Sequence, residues 1–295
     1  MDYKVNILMM AYNHEAFIAQ AIESILSQKT NFPFQLVIGE DFSSDNTRKI
    51  CQEYATKYPE KIFLLLRDRN VGPYVNFVEL YNICQAPYIA LCEGDDYWTN
   101  LNKLQKQVDF LESNQEYAIC FHAVHELRQN GSLVVSNAAQ QQVTDISNLI
   151  NGWYINTASY VFRNTRNIKF PQWFYKVKAT DLCFHILIAE EGGKIYFMED
   201  IMAVYRRHDG GVTNESMDFI FHLEQTIPFY QGMIGYFESQ NSAYVKQAKE
   251  KLYEIRNKLF IQIRYKKNKN LHDYLKLVGL AFELGKFKLL KMGTK

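Results

Sequence analysis

Short apolar runs alternate with stretches of helical periodicity over the first hundred residues, and this alternation constrains the chain more than any other feature. Val5 to Met10, Phe34 to Gly39, Ile62 to Leu66 and Tyr88 to Cys92 are runs of four to six residues that end in polar or Gly-containing loops. Between them, Glu15 to Gln28 places Phe17, Ile18, Ala21, Ile22, Ile25 and Leu26 on one helical face, and Thr47 to Tyr58 and Val75 to Cys84 behave similarly. Strand and helix in strict alternation predict an α/β fold, a mostly parallel central sheet flanked by helices. Ligands of open α/β sheets sit beyond the carboxyl ends of the strands. The polar clusters fall there: Ala11-Tyr12-Asn13-His14 after the first strand, Glu40-Asp41 with Ser43-Ser44-Asp45 after the second, and Glu93-Gly94-Asp95-Asp96 after the fourth.

Further along, a helix is expected at Lys103 to Glu112 and strands at Tyr117 to Val124 and Ala158 to Phe162, with the polar stretch Gln129 to Gln142 as a surface excursion. A helix at Asp181 to Glu190, ended by Gly192-Gly193, precedes strands at Lys194 to Met198 and Ile201 to Arg206, and the chain reads helical after Gly211. Residues 1–215 form the expected main domain and 216–295 a helical C-terminal region. A total of 295 residues with 47% hydrophobic content supports a large core and excludes disorder as the dominant state.

The net charge of +1 gives no global field for nucleic acid. Yet residues 246–295 hold fourteen Lys/Arg against four Asp/Glu, a net of +10, on a body of net −9. Leu271, Tyr274, Leu275, Val278 and Phe282 share one helical face in that basic tail, with Lys276, Lys286, Lys288 and Lys291 outside its centre. Peripheral contact with anionic lipid and a helix packed on its own domain with a solvated lysine face are equal readings. Five cysteines without a C-x-x-C pair read as reduced thiols, with no disulfide framework and no structural zinc. With no signal-peptide pattern and no apolar run of membrane-spanning length, a cytoplasmic location is expected.

Three carboxylates within the four residues Glu93 to Asp96 repel one another unless a cation or hydrogen-bond donors compensate. Hard oxygen donors suit Mg²⁺ or Mn²⁺, and the competing reading is an acidic turn that caps the next helix. Asp45 has the spacing of a cap for the helix at Thr47, whereas Asp41, directly after its strand, is placed to accept hydrogen bonds from a base or sugar. Asn13 reads as a turn or cap residue when taken alone. His208, in Tyr205-Arg206-Arg207-His208-Asp209-Gly210-Gly211, puts an imidazole beside two guanidiniums, which suits phosphate recognition; the alternative is a merely exposed histidine. His122 and His125 read as structural, and Trp98, Trp153 and Trp173 as exposed aromatics for stacking on sugars or for packing. The absence of G-x-G-x-x-G, G-x-x-x-x-G-K-[ST] and G-x-S-x-G removes the usual handles of dinucleotide oxidoreductases, P-loop NTPases and serine hydrolases.

Several motifs in one order resemble family 2 glycosyltransferases: Ala11-Tyr12-Asn13-His14, Ser24-x-x-x-Gln28, Ile38-Gly39-Glu40-Asp41 with Ser43-x-Asp45-Asn46-Thr47, Asn70-Val71-Gly72, and Tyr88 through Trp98. Lys103-Leu104-x-Lys106-Gln107, Thr180-Asp181-Leu182 and Tyr205-Arg206-x-His208-x-Gly210-Gly211 extend the resemblance over about the first 210 residues. It implies a GT-A fold, a nucleotide-diphosphate sugar donor (a UDP-sugar is the commonest choice), a saccharide or lipid-linked acceptor, Mn²⁺ or Mg²⁺, and inversion at the anomeric carbon. It further implies that Ala11, Tyr12 and Asn13 line the nucleotide pocket with Asp41 near the base, Asp95 near the ribose, Asp96 and His208 at the metal, and Asp181 as catalytic base. Thr180-Asp181 replaces the family's usual Glu-Asp pair, and Glu190 and Glu191 stand as rival bases. A sugar nucleotidyltransferase and a non-catalytic saccharide-binding module are the alternatives from other classes.

Overall fold

Strand β1 (Val5–Ala11) is buried along nearly its whole length because it pairs in parallel on both sides, with β2 (Phe34–Glu40) and with β4 (Tyr88–Leu91). A strand covered on two faces needs a continuous apolar run, and Val5-Asn6-Ile7-Leu8-Met9-Met10 supplies it. The one polar residue is satisfied: Asn6 Oδ1 accepts from the Ala86 amide at 2.8 Å. The computed structural model describes residues 2–136, 140–166, 168–177, 180–208 and 219–292, with the side chains of 191–192 and 288–292 outside the described set.

Strand β3 (Ile62–Leu66) extends the parallel sheet beyond β2. Helices α1 (Ile18–Leu26), α2 (Thr47–Lys57) and α3 (Pro73–Ile83) connect these strands, as the periodicities predict. After β4 come the short β5 (Tyr97–Trp98), α4 (Lys103–Ser113), β6 (Tyr117–Leu127), β7 (Leu133–Ser136), β8 (Val143–Thr144), α5 (Ile146–Asn151), β9 (Val161–Arg163), α6 (Thr180–Gly192) and β10 (Lys194–Arg206). The sheet order is β3-β2-β1-β4-β9-β6-β10-β5, with β7 on β6 and β8 on β10. Antiparallel β9 lies between β4 and β6, so the sheet is mostly parallel but mixed.

Three sequence expectations need correction. The polar stretch from Gln129 contains a strand, β7, which folds back antiparallel on β6 through the turn at Asn130-Gly131, where Gly131 takes φ +81°. The strand expected from Ala158 begins instead with a 3-10 turn at Thr157–Ser159, and pairing starts at Val161. The two strands expected between Lys194 and Arg206 are one strand, interrupted by a register shift at Met198/Ile201 that turns Glu199 and Asp200 out to solvent.

By internal packing the chain divides into two units, Met1–Phe170 with Phe184–Asn214, and Pro171–Cys183 with Glu215–Lys295. In the second, α7 (Phe219–Ser239) packs on α8 (Val245–Tyr265), and α8 packs on α9 (Leu271–Met292). Its core is built from Phe229, Tyr230, Met233 and Phe237 of α7 with Leu252, Ile255, Leu259 and Ile263 of α8. Trp173 lies on α7 at Gly232, where an added Cβ would come within 2.5 Å of the indole. Trp173 is therefore a packing residue.

Candidate active site

The chain leaves β1 toward β2 and β3 on one side, then returns to β4 on the other. The strand order reverses at β1/β4, and the crevice beyond the carboxyl ends of strands at such a reversal is where open α/β sheets bind ligands. The turn after β1 and the acid loop after β4 meet here. The Gly94 amide donates to Met10 O at 3.0 Å, and a Cβ at Gly94 would lie 2.7 Å from both His14 Nδ1 and Ile18 Cδ1. Glycine is thus required for the loop to lie against the turn.

Asp95 Oδ2 lies 3.0 Å from His208 Nε2 and 3.8 Å from His14 Nε2. Desolvation pushes the Asp95 carboxyl up, but the His208 hydrogen bond and the two nearby imidazoles outweigh it, and the net shift is downward. Asp96 is buried, and its Oδ1 accepts from the Arg206 amide at 2.9 Å. Burial, reinforced by the Asp95 charge, raises the Asp96 carboxyl well above the ordinary range. The Arg206 guanidinium bonds to Asp95 O and Gln20 Oε1 and lies over the rings of Tyr97 (4.4 Å) and Phe17 (5.1 Å). Asp95 Oδ1, Asp96 Oδ2 and His14 Nδ1 are buried without a hydrogen-bond partner among the described residues. Each is an unmet polar demand of the kind a ligand fills.

On the other side of β1, Ala11 pairs with Glu40, and Asp41 follows at the strand end. Asp41 accepts from the Val71 amide (2.7 Å) and the Gly72 amide (2.9 Å), so it already holds the loop before α3. Each carboxylate oxygen keeps one further lone pair. Asn13 takes the left-handed conformation (φ 55°), and its Oδ1 accepts from the Ser44 amide at 2.9 Å. The His14 and Glu15 amides donate to Thr47 Oγ1 and Asp45 Oδ2, which laces this turn to the start of α2; there Asn46, and not the expected Asp45, holds the N-cap position, while Asp45 Oδ1 accepts from the Thr47 amide at 2.9 Å. Tyr12 stays 46% exposed above the laced turn.

The family model described as "Glycosyl transferase family 2" matches residues 6–184. This chain belongs to that family. Uncharacterized protein Rv1520 of Mycobacterium tuberculosis is 35% identical over 210 residues, which is 70% of this chain and 60% of that protein. The match therefore spans about three fifths of that relative's length. The Escherichia coli protein named UDP-Glc:alpha-D-GlcNAc-diphosphoundecaprenol beta-1,3-glucosyltransferase WfgD is 32% identical over 144 residues, 48% of this chain and 54% of that one. Among solved structures, S. aureus TarS 1-349 in complex with UDP matches with TM-score 0.65 at 17% identity, covering 95% of this chain and 80% of that one. The mannosyltransferase PcManGT from Pyrobaculum calidifontis, in complex with GDP-Man and Mn²⁺, matches with TM-score 0.57 at 14% identity, covering 100% and 80%. These likenesses establish the GT-A fold.

The residues at the switch point fit a divalent cation in donor chemistry. Two buried carboxylate oxygens lack donors beside an imidazole. No cluster of three or more His, Cys, Asp or Glu poised to hold a metal is present among the described residues. Phosphate oxygens and water would complete the shell, as is usual for Mg²⁺. Asp181, in the first turn of α6, is exposed at the surface; its pKa is shifted upward, desolvation by neighbouring atoms outweighing hydrogen bonds from the Leu182 and Asp181 amides. Glu190 is exposed at the opposite end of α6; the Glu191 side chain and residues 209–211 lie outside the described residues. Trp98 is buried, contrary to expectation, with its Nε1 donating to Ala158 O at 3.0 Å, while Trp153 is 45% exposed.

Sequence reasoning leaves His14 without a role and reads Arg206 only as a phosphate-recognising guanidinium, whereas the structure sets it against Asp95, Asp96 and Tyr97. Both lie inside the motifs that carry the resemblance, at the ends of β1 and β10. The available signal is topological: with β1 beside β4, the residue just past one strand end faces the acid loop of the other.

Proposed function

We propose that this chain transfers a sugar from a nucleotide-diphosphate donor, a UDP-sugar, to a hydroxyl of a saccharide or lipid-linked saccharide, with inversion, in cell-surface polysaccharide synthesis. The reading is carried by Asp95 and Asp96, which bring two unsatisfied buried oxygens to the β1/β4 switch point beside His208. It draws support from TarS, which was solved with UDP, and from PcManGT, solved with GDP-Man and Mn²⁺. The E. coli relative is named for a UDP-sugar donor and a diphosphoundecaprenol-linked acceptor.

In this scheme Ala11, Tyr12, Asn13 and Asp41 hold the nucleotide, and Asp95 takes the ribose. Asp96 and His208 hold the cation, Mn²⁺ or Mg²⁺, which when bound supplies Lewis-acid stabilisation to the diphosphate. Asp181 accepts the acceptor hydroxyl's proton as its oxygen bonds to the anomeric carbon. The electron pair of the breaking C–O bond leaves with the diphosphate. A desolvated carboxyl with raised pKa is the stronger base for that transfer. Residues 1–215 are the catalytic region in this proposal, 216–295 a helical appendage, and the cytoplasmic face of a membrane the working place.

A panel of nucleotide-sugars with and without Mn²⁺, scored by thermal shift, tests the binding half. One nucleotide-sugar is expected to raise Tm only with the cation, since a ligand at 100 times its Kd adds about 2.7 kcal/mol. Asp96→Asn is expected to abolish the cation dependence, and a wild-type response indifferent to Mn²⁺ and Mg²⁺ would remove the metal assignment. Release of pyrophosphate instead of a nucleoside diphosphate would transfer the chain to the nucleotidyltransferases.

A further inference from the structure

Helix α9 is apolar on two sides. One side packs inside its own unit: Leu284 and Asp273 are buried, and Phe287 stacks on Tyr253 of α8 at 4.6 Å. The opposite side carries Leu271, Tyr274, Leu275, Val278 and Phe282, each between 56% and 76% exposed. At 100° per residue these five fall within one arc of about 100°, centred nearly opposite Leu284 and Asp273. Lys286 flanks the stripe, with its Nζ 4.2 Å over the Phe282 ring, and exposed Lys266 and Lys267 precede the helix. Acids neutralise only part of this charge: Lys266 pairs with Asp273, Lys276 with Glu224 and Lys286 with Glu283, against fourteen Lys/Arg in residues 246–295.

We infer that the outward face of α9 is a docking surface for an anionic lipid membrane. Two observations select lipid over a protein partner. The stripe is flanked by the +10 segment 246–295, and a second copy would bring the same positive charge against it. Lysine stems beside apolar side chains, with Tyr274 on the same face and Tyr265 just before the helix, form the arrangement of a helix lying in the headgroup boundary, where cations reach lipid phosphates while the apolar face sinks below. No described helix is long and apolar enough to cross a membrane, so the contact is with one leaflet. The inference rests on the surface of α9 alone and is independent of the donor and acceptor proposed above.

Co-sedimentation of the full chain with phosphatidylglycerol vesicles, and with phosphatidylcholine vesicles as control, tests it without any sugar present. Binding to the anionic vesicles at low salt, weakened by high salt, is expected. The outward triple variant Leu275→Glu/Val278→Glu/Phe282→Glu is expected to lower the partition coefficient at least about tenfold. Equal sedimentation of wild type and triple variant would overturn the proposal. So would failure of the wild type to sediment at low salt; a dimer in sedimentation velocity that the triple variant abolishes would then assign the face to a second copy. Should the triple variant fail to fold, Tyr274→Trp decides: its added fluorescence is expected to shift to the blue with anionic vesicles, and no shift contradicts the membrane contact.

Discussion

Lys103 is wholly buried in the first unit, with its ammonium 4.1 Å over the Trp98 ring and donating to Gln107 Oε1 at 2.8 Å. Cys92, Cys120 and His122 are the titratable groups that interact with it, and desolvation lowers its pKa from 10.5 to about 7. Between those two values the unfolded chain holds a proton that the folded chain does not, so this residue makes stability rise with pH from about 7 upward and contributes no slope below. The expected size is on the order of a few kcal/mol across the window. The wild-type minus Lys103→Met difference in urea unfolding free energy isolates it from the buried thiols, and a difference that stays flat from pH 7 to 9 contradicts the assignment. Gly94 carries a second expectation. A methyl there meets His14, Ile18 and, at 3.2 Å, the Met10 carbonyl oxygen, so Gly94→Ala is expected to lose about 1–3 kcal/mol in the same assay. A neutral result would show that the acid loop does not lean on the turn after β1.

The elements that aim the site are the ends of β1, β2 and β4. Asp41, at the end of β2, binds the Val71 and Gly72 amides, so it couples that strand to the loop entering α3. Asp41→Ala strips two acceptors from buried or half-buried amides, which costs about 1–3 kcal/mol each when no water replaces them. A fall in thermal stability together with weaker donor binding is expected; weaker binding at unchanged stability would mean that Asp41 contacts only the nucleotide. The strand ends were legible because a strand buried on both faces must be a continuous apolar run, as Val5 to Met10 and Tyr88 to Cys92 are. Strand β7 was not, because Leu133, Val134 and Val135 form a short exposed edge amid polar residues, with no buried face to impose a pattern. Nor was the fate of Trp98 visible: the neighbouring acids suggest a solvent edge, but β5 inserts against β10 and takes the indole inward. The acid loop, His208 and Asp41 announced themselves by residue type. His14 and Arg206 acquire their places only once β1, β4 and β10 are assembled.

At the scale of the whole molecule, the family-matched segment 6–184 includes the first three polar strand ends and Asp181, whereas His208 follows it and α7 to α9 lie beyond it. Charge divides further along the chain, with a net of −9 over residues 1–245, α7 included, and +10 over 246–295, which hold α8 and α9. An acidic body around the proposed diphosphate donor would be electrostatically unfavourable without a cation, which accords with the proposed role of Asp96. The proposed reaction is sugar transfer with Asp181 as base. Its most direct test is the steady-state release of nucleoside diphosphate by wild type and Asp181→Asn, at saturating donor and Mn²⁺, with donor affinity measured in parallel. Asparagine preserves the shape and a capping oxygen but cannot take the acceptor's proton. The predicted result is a fall in kcat of about 10²- to 10⁴-fold with donor affinity and Tm nearly unchanged; near-normal turnover by Asp181→Asn would contradict it.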